Sequence, residues 1–313
     1  MKNKIPLKRR LKYFLQKIIP WHIINYIKRL LVFVPFEKGL VYSGKIYVKY
    51  YIRDKYQNCL AIFSHYDKDN IIDEYVVYYL KKLSEQGFDI VFVSTAESLS
   101  QNEIEKIVPF CRDVLVKENI GYDFGAWQTG ISYLKDELFL YDSVLLCNDS
   151  VYAPIYPFEE MFQKMQGRFD FWGVTDSYEI YHHLQSYFMV FDKKVVRSKV
   201  FQDIWKNYKV YKIKRNIILQ YEIGLSQRLL KAGFFMGVYC PYDKLQTTRV
   251  CNASHYNWRE LLEKFRCPML KIELLRDNPK NIDISGWEEV IQNSSDYDVS
   301  LIKNHLQRMG NKL

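Results

Sequence analysis

The sequence lacks the short motifs by which most nucleotide- and metal-dependent enzymes announce themselves. There is no G-x-x-x-x-G-K-[ST], no G-x-G-x-x-G after the first apolar strand, no H-E-x-x-H and no G-x-S-x-G. P-loop kinases, Rossmann dehydrogenases, zincins and α/β-hydrolases are thereby set aside. No uncharged apolar run approaches the roughly 18 residues that a membrane-spanning helix needs. Nor does an unbroken apolar stretch lead to a small-residue cleavage site, as an export signal would require. The six cysteines form no C-x-x-C pair. Several fall in apolar strands, where a thiol behaves as a small hydrophobe, and all are expected to be reduced, in the cytoplasm. Internal repeats and low-complexity linkers are also missing.

What is present is ample for a packed core: 48% hydrophobic and 16% aromatic residues in a chain of 313. The net charge of +9 is unevenly placed, because residues 1–60 hold fourteen Lys and Arg against only Glu37 and Asp54. A basic terminus on a slightly acidic body is not the even coat of a nucleic-acid binder. Between Lys8 and Val34 the cations alternate with Ile, Leu, Trp and Phe, and Pro20 and Pro35 divide the region into two expected short helices. Such a segment either lies in an anionic membrane interface or packs on the body.

From Cys59 the pattern becomes regular. CLAIFS (59–64), DIVFVS (89–94), DVLVKE (113–118) and SVLLC (143–147) read as strands, separated by helices over about 71–86, 100–108 and up to Leu134. Strands alternating with helices imply an α/β fold with a mixed, mainly parallel sheet flanked by helices. In such sheets ligands sit beyond the carboxyl ends of the strands. There the polar stretches Ser64–Asp67, Ser94-Thr95, Asn119–Gly121 and Asn148-Asp149-Ser150 all fall. The second half carries strands at 169–176 and 185–192, the latter expected antiparallel, and another at 234–240. A helix is expected near 193–206, then a basic connector, KVYKIKRN, and a helix over 221–234 that Gly233 stops. The tail reads as helices, with a capping box at Ser285-x-x-Glu288. Three parts are expected: a basic extension 1–57, a catalytic domain 58–255 divided at 150 into nucleotide and acceptor parts, and a helical extension 256–313.

This arrangement suits a nucleotide-sugar site. The departing diphosphate needs a divalent cation or an equivalent positive charge, and a carboxylate at a strand end such as Asp149 is a rigid way to hold a hard cation. The attacking hydroxyl needs a positioned carboxylate base. Glu222 is the candidate, at the expected start of a helix whose dipole would stabilise its charge. The bland readings are a turn for Asn148–Ser150 and an ordinary first-turn acid for Glu222.

Three segments, ENIGYDFGAWQTGISYL, LLCNDSVYAPIYPFEEMF and HLQSYFMVFDKKVVRS, resemble the rhamnan synthesis protein F family, in its order, within residues 58–290. The resemblance implies a GT-A-like glycosyltransferase fold and transfer of a sugar, rhamnose from dTDP-L-rhamnose or a similar donor, to a lipid-linked polysaccharide. It places Asn148-Asp149-Ser150 where many GT-A enzymes have Asp-x-Asp, with Mg2+ or Mn2+ held by Asp149 and His255. It assigns the nucleotide sugar to Tyr66, Asp67, Asn119, Gly121, Tyr122, Asp123 and Gly125, together with Asn148–Ser150. Glu222 takes the place of the catalytic base, implying inversion. His183, Gln185 and Ser186, with His182, are either sugar or acceptor contacts or a satisfied loop, and Trp127 and Trp172 either stack on the ligand or belong to the core. Asp123 binds a sugar hydroxyl or caps the following helix. With a single carboxylate in Asn148-Asp149-Ser150, a non-catalytic GT-A-like subunit that binds glycan or partner enzymes is the competing reading.

Overall fold

A computed structural model describes residues 23, 37–41, 44–52, 57–247 and 252–311, so the basic stretch 8–34 lies outside the described residues apart from Ile23. The frame is a nine-stranded sheet. Eight strands run in line: β1 (Ile46–Tyr51), β2 (Cys59–His65), β3 (Phe88–Ser94), β4 (Asp113–Lys117), β5 (Ser143–Asn148), β6 (Phe171–Ser177), β7 (Phe188–Asp192) and β8 (Met236–Cys240). Their spatial order is β8-β6-β7-β5-β2-β3-β4-β1, and the ninth strand, His183–Leu184, pairs with β6. The four strands β5, β2, β3 and β4 are mutually parallel. As expected, β7 is antiparallel, to both β5 and β6. The α/β class with a mainly parallel central sheet is therefore what the chain builds.

The central strands are apolar along nearly their whole length because both faces of the sheet are covered. One face packs α1 (Glu74–Glu85) and the helices after residue 256 around Phe63, Phe92, Leu145 and Phe188. The other packs α2 (Tyr122–Leu134) and the helical segments between 193 and 231 around Ile62, Val93, Leu146 and Phe191. After β2 the chain steps outward to β3 and β4, then returns to place β5 on the other side of β2. That reversal is a topological switch point, where the loops on the two sides part and leave a crevice.

Of the expected helical extension 256–313, the described residues 256–311 carry five helical segments or parts of them and share the first of these cores. They also contribute a two-residue ladder, Leu270–Lys271, antiparallel to Val151–Tyr152 just beyond β5. The expected capping box does not form. Ser285 Oγ donates instead to Asp283 Oδ1 at 2.6 Å, and Glu288 takes the Lys303 ammonium at 2.7 Å. Gly286, at φ +67°, precedes that helix in the left-handed region.

Candidate functional site at the switch point

Ser64 and Asn148 are register partners at the ends of β2 and β5. Asn148 Oδ1 accepts from the Ser150 N–H at 3.2 Å and the Ser150 hydroxyl at 2.6 Å. The bland turn reading thus holds for Asn148, whose amide closes the bend. Closing it turns Asp149 back toward β2, where Oδ2 accepts the Tyr66 N–H at 2.8 Å. Asp123 enters from the first turn of α2, with Oδ1 accepting the Ser64 hydroxyl at 3.0 Å. Asp123 is not a cap, since Gly121 holds the N-cap position at φ +91°. Burial pushes the Asp149 carboxyl well above its ordinary value, and the nearby Asp123 adds to that push against the Tyr66 N–H. Asp123 is also raised by burial, against the pull of Ser64 and Lys271.

Glu222 faces this rim from the other half. It does not start a helix: helical structure begins at Lys214 and runs to Lys231, with a π-helical turn over Ile218–Ile223. The segment KVYKIKRN is thus part strand and part helix, and no helix N-terminus is left to stabilise Glu222. Two side chains from the edge of β7 and the short ninth strand do so instead. Ser186 Oγ donates to Glu222 Oε2 at 2.5 Å, and His183 Nε2 lies 3.5 Å from Oε1. His183 Nδ1 donates to the Tyr181 carbonyl at 2.6 Å. Because Nδ1 must carry a proton to do this, Nε2 attracts Glu222 only when it is protonated too. Burial lowers the His183 pKa, but Glu222 outweighs it and the net shift is upward. Burial likewise works against the Glu222 charge, yet His183, Ser186 and Lys271 leave its pKa below the usual carboxylate value. Both Asp149 and Glu222 are partly buried residues, and the Glu222 side chain keeps 22% of its surface open.

Between the two halves stands Lys271, which the sequence reading missed. Its ammonium lies 3.2 Å from Ser150 Oγ and 4.2 Å from the Tyr187 ring centroid. Glu222 and Asp123 both act on it electrostatically, and burial still lowers its pKa to about 8. Alternation along the two-residue ladder sends Leu270 into the core and Lys271 into the crevice. Nothing in the local sequence, PMLKIELL, signals that placement.

The remaining predicted residues divide. Tyr66 and Tyr122 stand exposed on the rim, at 54% and 48%, and Asn119 is exposed beside them. Asp67 is held by Arg308 at 2.6 Å and by the N–H groups of Asp69 and Ile71. Burial raises its pKa, these partners outweigh it, and it ends below the ordinary value. Gly121 and Gly125 answer to packing: a Cβ on Gly125 would lie 2.4 Å from the Ile120 carbonyl oxygen, and one on Gly121 2.8 Å from the Tyr208 hydroxyl. Gln185 is engaged at both ends, accepting from Thr175 Oγ1 at 2.7 Å and donating to Asn252 Oδ1 at 3.0 Å. His182 stacks on Tyr178 and meets Asp176. Trp127 and Trp172 are core, with Trp127 Nε1 donating to the Cys147 carbonyl.

Of the expected metal pair, Asp149 has one oxygen on the Tyr66 N–H, and His255 has a carboxylate neighbour of its own. His255 Nε2 lies 3.4 Å from Glu273 Oε2, and its Nδ1 has no hydrogen-bond partner. Among the described residues no group of three His, Cys, Asp or Glu side chains is placed to hold a metal ion. Among the described residues the donors at the strand end are poor for a resident divalent ion, because Asp149 is the one carboxylate there and Asn148 Oδ1 is taken up by Ser150.

Comparison with known proteins places this chain in a family. Residues 90–312 match rhamnan synthesis protein F, a stretch that takes in Asp123, Asp149, Glu222 and Lys271. The chain belongs to the rhamnan synthesis protein F family. The match runs beyond the segments that carry the resemblance in sequence, through the last helix. An uncharacterized protein, y4gN, of Sinorhizobium fredii is 31% identical over 59% of this chain, and the match spans 49% of its own length. The virulence protein VirA of Vibrio anguillarum is 24% identical over 84% of this chain and 96% of its own. Solved structures of similar outline include the glycosyltransferase GlyE of Streptococcus pneumoniae, at TM-score 0.40 and 11% identity over 82% of this chain and 64% of that one. A nucleotide-diphospho-sugar transferase of Desulfovibrio desulfuricans gives 0.36 and 12% over 80% and 98%. Among the described residues of this rhamnan synthesis family member, no helix is long and apolar enough to cross a membrane.

Proposed function

We propose that this protein is a glycosyltransferase of GT-A type that passes a sugar from a nucleotide sugar to a lipid-linked polysaccharide acceptor, at the cytoplasmic face of the membrane. The observation that carries this reading is the convergence of two half-sites on one ammonium. Ser64, Asp123 and Asp149 come from the switch point, Glu222 with Ser186 and His183 comes from the opposite half, and Lys271 lies between them.

In this reading the nucleobase lies between the exposed rings of Tyr66 and Tyr122, with Asp67 and Asn119 at its edge. Asp123 and Asp149, both held at the crevice floor, take hydroxyls of the donor sugar. Glu222, kept ionised by His183 and Ser186, accepts the proton of the attacking hydroxyl. Attack opposite the leaving diphosphate inverts the anomeric centre. The family name favours a rhamnosyl donor such as dTDP-L-rhamnose. The basic stretch near the N-terminus would hold the enzyme against anionic lipid and so raise the local concentration of its acceptor.

The test is nucleoside diphosphate release from a panel of sugar donors. Glu222→Gln should fold normally and lower turnover by roughly 10²- to 10⁴-fold, the usual worth of a general base. One observation favours a non-catalytic, glycan-binding subunit instead: Asn148, whose Oδ1 closes its own turn, brings no charge to the strand end, leaving Asp149 as the single carboxylate of that motif. If Glu222→Gln and Asp149→Asn both leave glycan synthesis in cells unchanged, the subunit reading replaces the enzyme.

A further inference from the structure

Loss of a nucleoside diphosphate leaves negative charge on the departing oxygen, and something positive must face it. The residues around Asp149 do not gather a divalent ion. One Asp149 oxygen is taken by the Tyr66 N–H, Asn148 turns to Ser150, and His255 looks toward Glu273. A lysine does reach that place.

Lys271 arrives on a backbone that is itself fixed to the loop it serves. Lys271 pairs with Val151, the Ile272 N–H donates to the Ser150 carbonyl at 3.1 Å, and the Ile155 N–H to the Pro268 carbonyl at 2.8 Å. The side chain lies along the Tyr187 ring, and the ammonium stops beside Ser150, one residue from Asp149. An ammonium has three N–H donors. Among the described residues one hydrogen-bond acceptor, Ser150 Oγ, is within reach, and no carboxylate oxygen comes within 4.0 Å. A partly buried lysine without a contacting carboxylate keeps donors that an anion would complete. Glu222 and Asp123, which belong to the two different half-sites, both act on it electrostatically.

Resting on the nucleotide-sugar reading of this site, we propose that the Lys271 ammonium binds the donor's diphosphate and supplies the countercharge for its departure, so that no divalent ion is required. The bond between the anomeric carbon and the diphosphate oxygen breaks with its electron pair moving to that oxygen, which Lys271 faces. The acceptor oxygen bonds to the anomeric carbon, and its proton passes to Glu222.

Calorimetric titration of the full chain with dTDP, UDP and GDP, in EDTA and then in Mn2+, tests this. The wild type should bind at least one diphosphate in EDTA as tightly as in Mn2+. Lys271→Met, close in shape and uncharged, should weaken that binding by roughly 30-fold or more, as removal of one buried charge partner does. Lys271→Arg should keep most of the affinity. Binding that appears only with Mn2+, or a folded Lys271→Met that binds like the wild type, overturns the inference and leaves the nucleotide-sugar reading standing. Should Lys271→Met fail to fold, the wild type in EDTA and Lys271→Arg decide the matter: binding lost in EDTA, or an arginine variant at least 30-fold weaker in both media, overturns it. A wild type that binds none of the three diphosphates in either medium overturns the nucleotide-sugar reading itself, and this inference falls with it.

Discussion

Ser186 Oγ donates a 2.5 Å hydrogen bond to Glu222 Oε2, joining the edge of β7 to a π-helical turn thirty-six residues on. That turn interrupts the regular helical repeat, and such turns recur at functional positions. Together with His183 the bond keeps Glu222 ionised. The two shifts fix a pH window. The depressed Glu222 pKa contributes stability above the ordinary carboxylate value of 4.5 and loses it as pH falls through the folded value. The raised His183 pKa contributes below 6.5 and loses it as pH rises through its folded value. Ser186→Ala removes a donor to a carboxylate, so the acid limb of the kcat/KM profile should move to higher pH. A profile with an unmoved acid limb would show that this bond does not tune Glu222.

Gly125 makes a sharper steric prediction. An added methyl would lie 2.4 Å from the Ile120 carbonyl, and that atom belongs to backbone that Lys117 Nζ also holds, at 3.0 Å. Gly125→Ala should therefore displace the loop 119–123 rather than a side chain, lowering stability by about 1–3 kcal/mol as overpacking does. Urea unfolding measures the loss. Unchanged stability would mean that the loop yields freely, and that Gly125 is not what holds Asp123 in place.

Much of this was legible in the sequence, and the reasons are local. Strands β2 to β5 are short apolar runs bounded by polar loops, because parallel strands covered on both faces need little else. Their carboxyl ends therefore marked the crevice, and Ser64, Asp123 and Asp149 meet there. Glu222 was found as a residue but not as an environment. Periodicity placed a helix start at 221, whereas the helical run begins at Lys214 and a π turn breaks its repeat. Lys271 left no trace, since its position depends on a two-residue ladder between segments about 120 residues apart. Arg308 was invisible for the same reason: a C-terminal arginine carries no mark of a loop 240 residues earlier.

The membrane reading of the basic stretch before residue 35 makes a prediction that rests on its charge. Full-length protein should sediment with vesicles containing anionic lipid and be released as salt rises, because exposed cations are screened within about 10 Å at 0.1 M. Deleting residues 1–35 should abolish sedimentation at every salt concentration. Vesicle binding that survives the deletion would place the lipid contact elsewhere on the protein.

Arg308, on the helix Val299–Arg308, ties the far end of the chain to the loop that follows β2. Its guanidinium meets Asp67 Oδ2 at 2.6 Å, Asp73 Oδ2 at 2.5 Å and Asp69 Oδ2 at 3.1 Å. Next to it, the Tyr152 hydroxyl and His305 Nδ1 lie 2.7 Å apart, so the same helix also touches the segment beyond β5. Arg308→Leu leaves three carboxylates without their shared partner. Asp67 and Asp73 are largely buried, while the Arg308 side chain keeps 21% of its surface and Asp69 is half exposed. The expected loss of about 2 kcal/mol thus falls below that of a fully buried pair. Lysine cannot reproduce the fork, so Arg308→Lys should restore only part of it. Asp67 gives a reading that a merely structural helix contact would not move. Without Arg308, burial is opposed only by the Asp69 and Ile71 N–H groups, and the Asp67 pKa should rise from its depressed value. Carboxyl NMR titration of the wild type and Arg308→Leu compares the two directly. An Asp67 that titrates identically in both would show that the terminal helix packs against this loop without setting its charge.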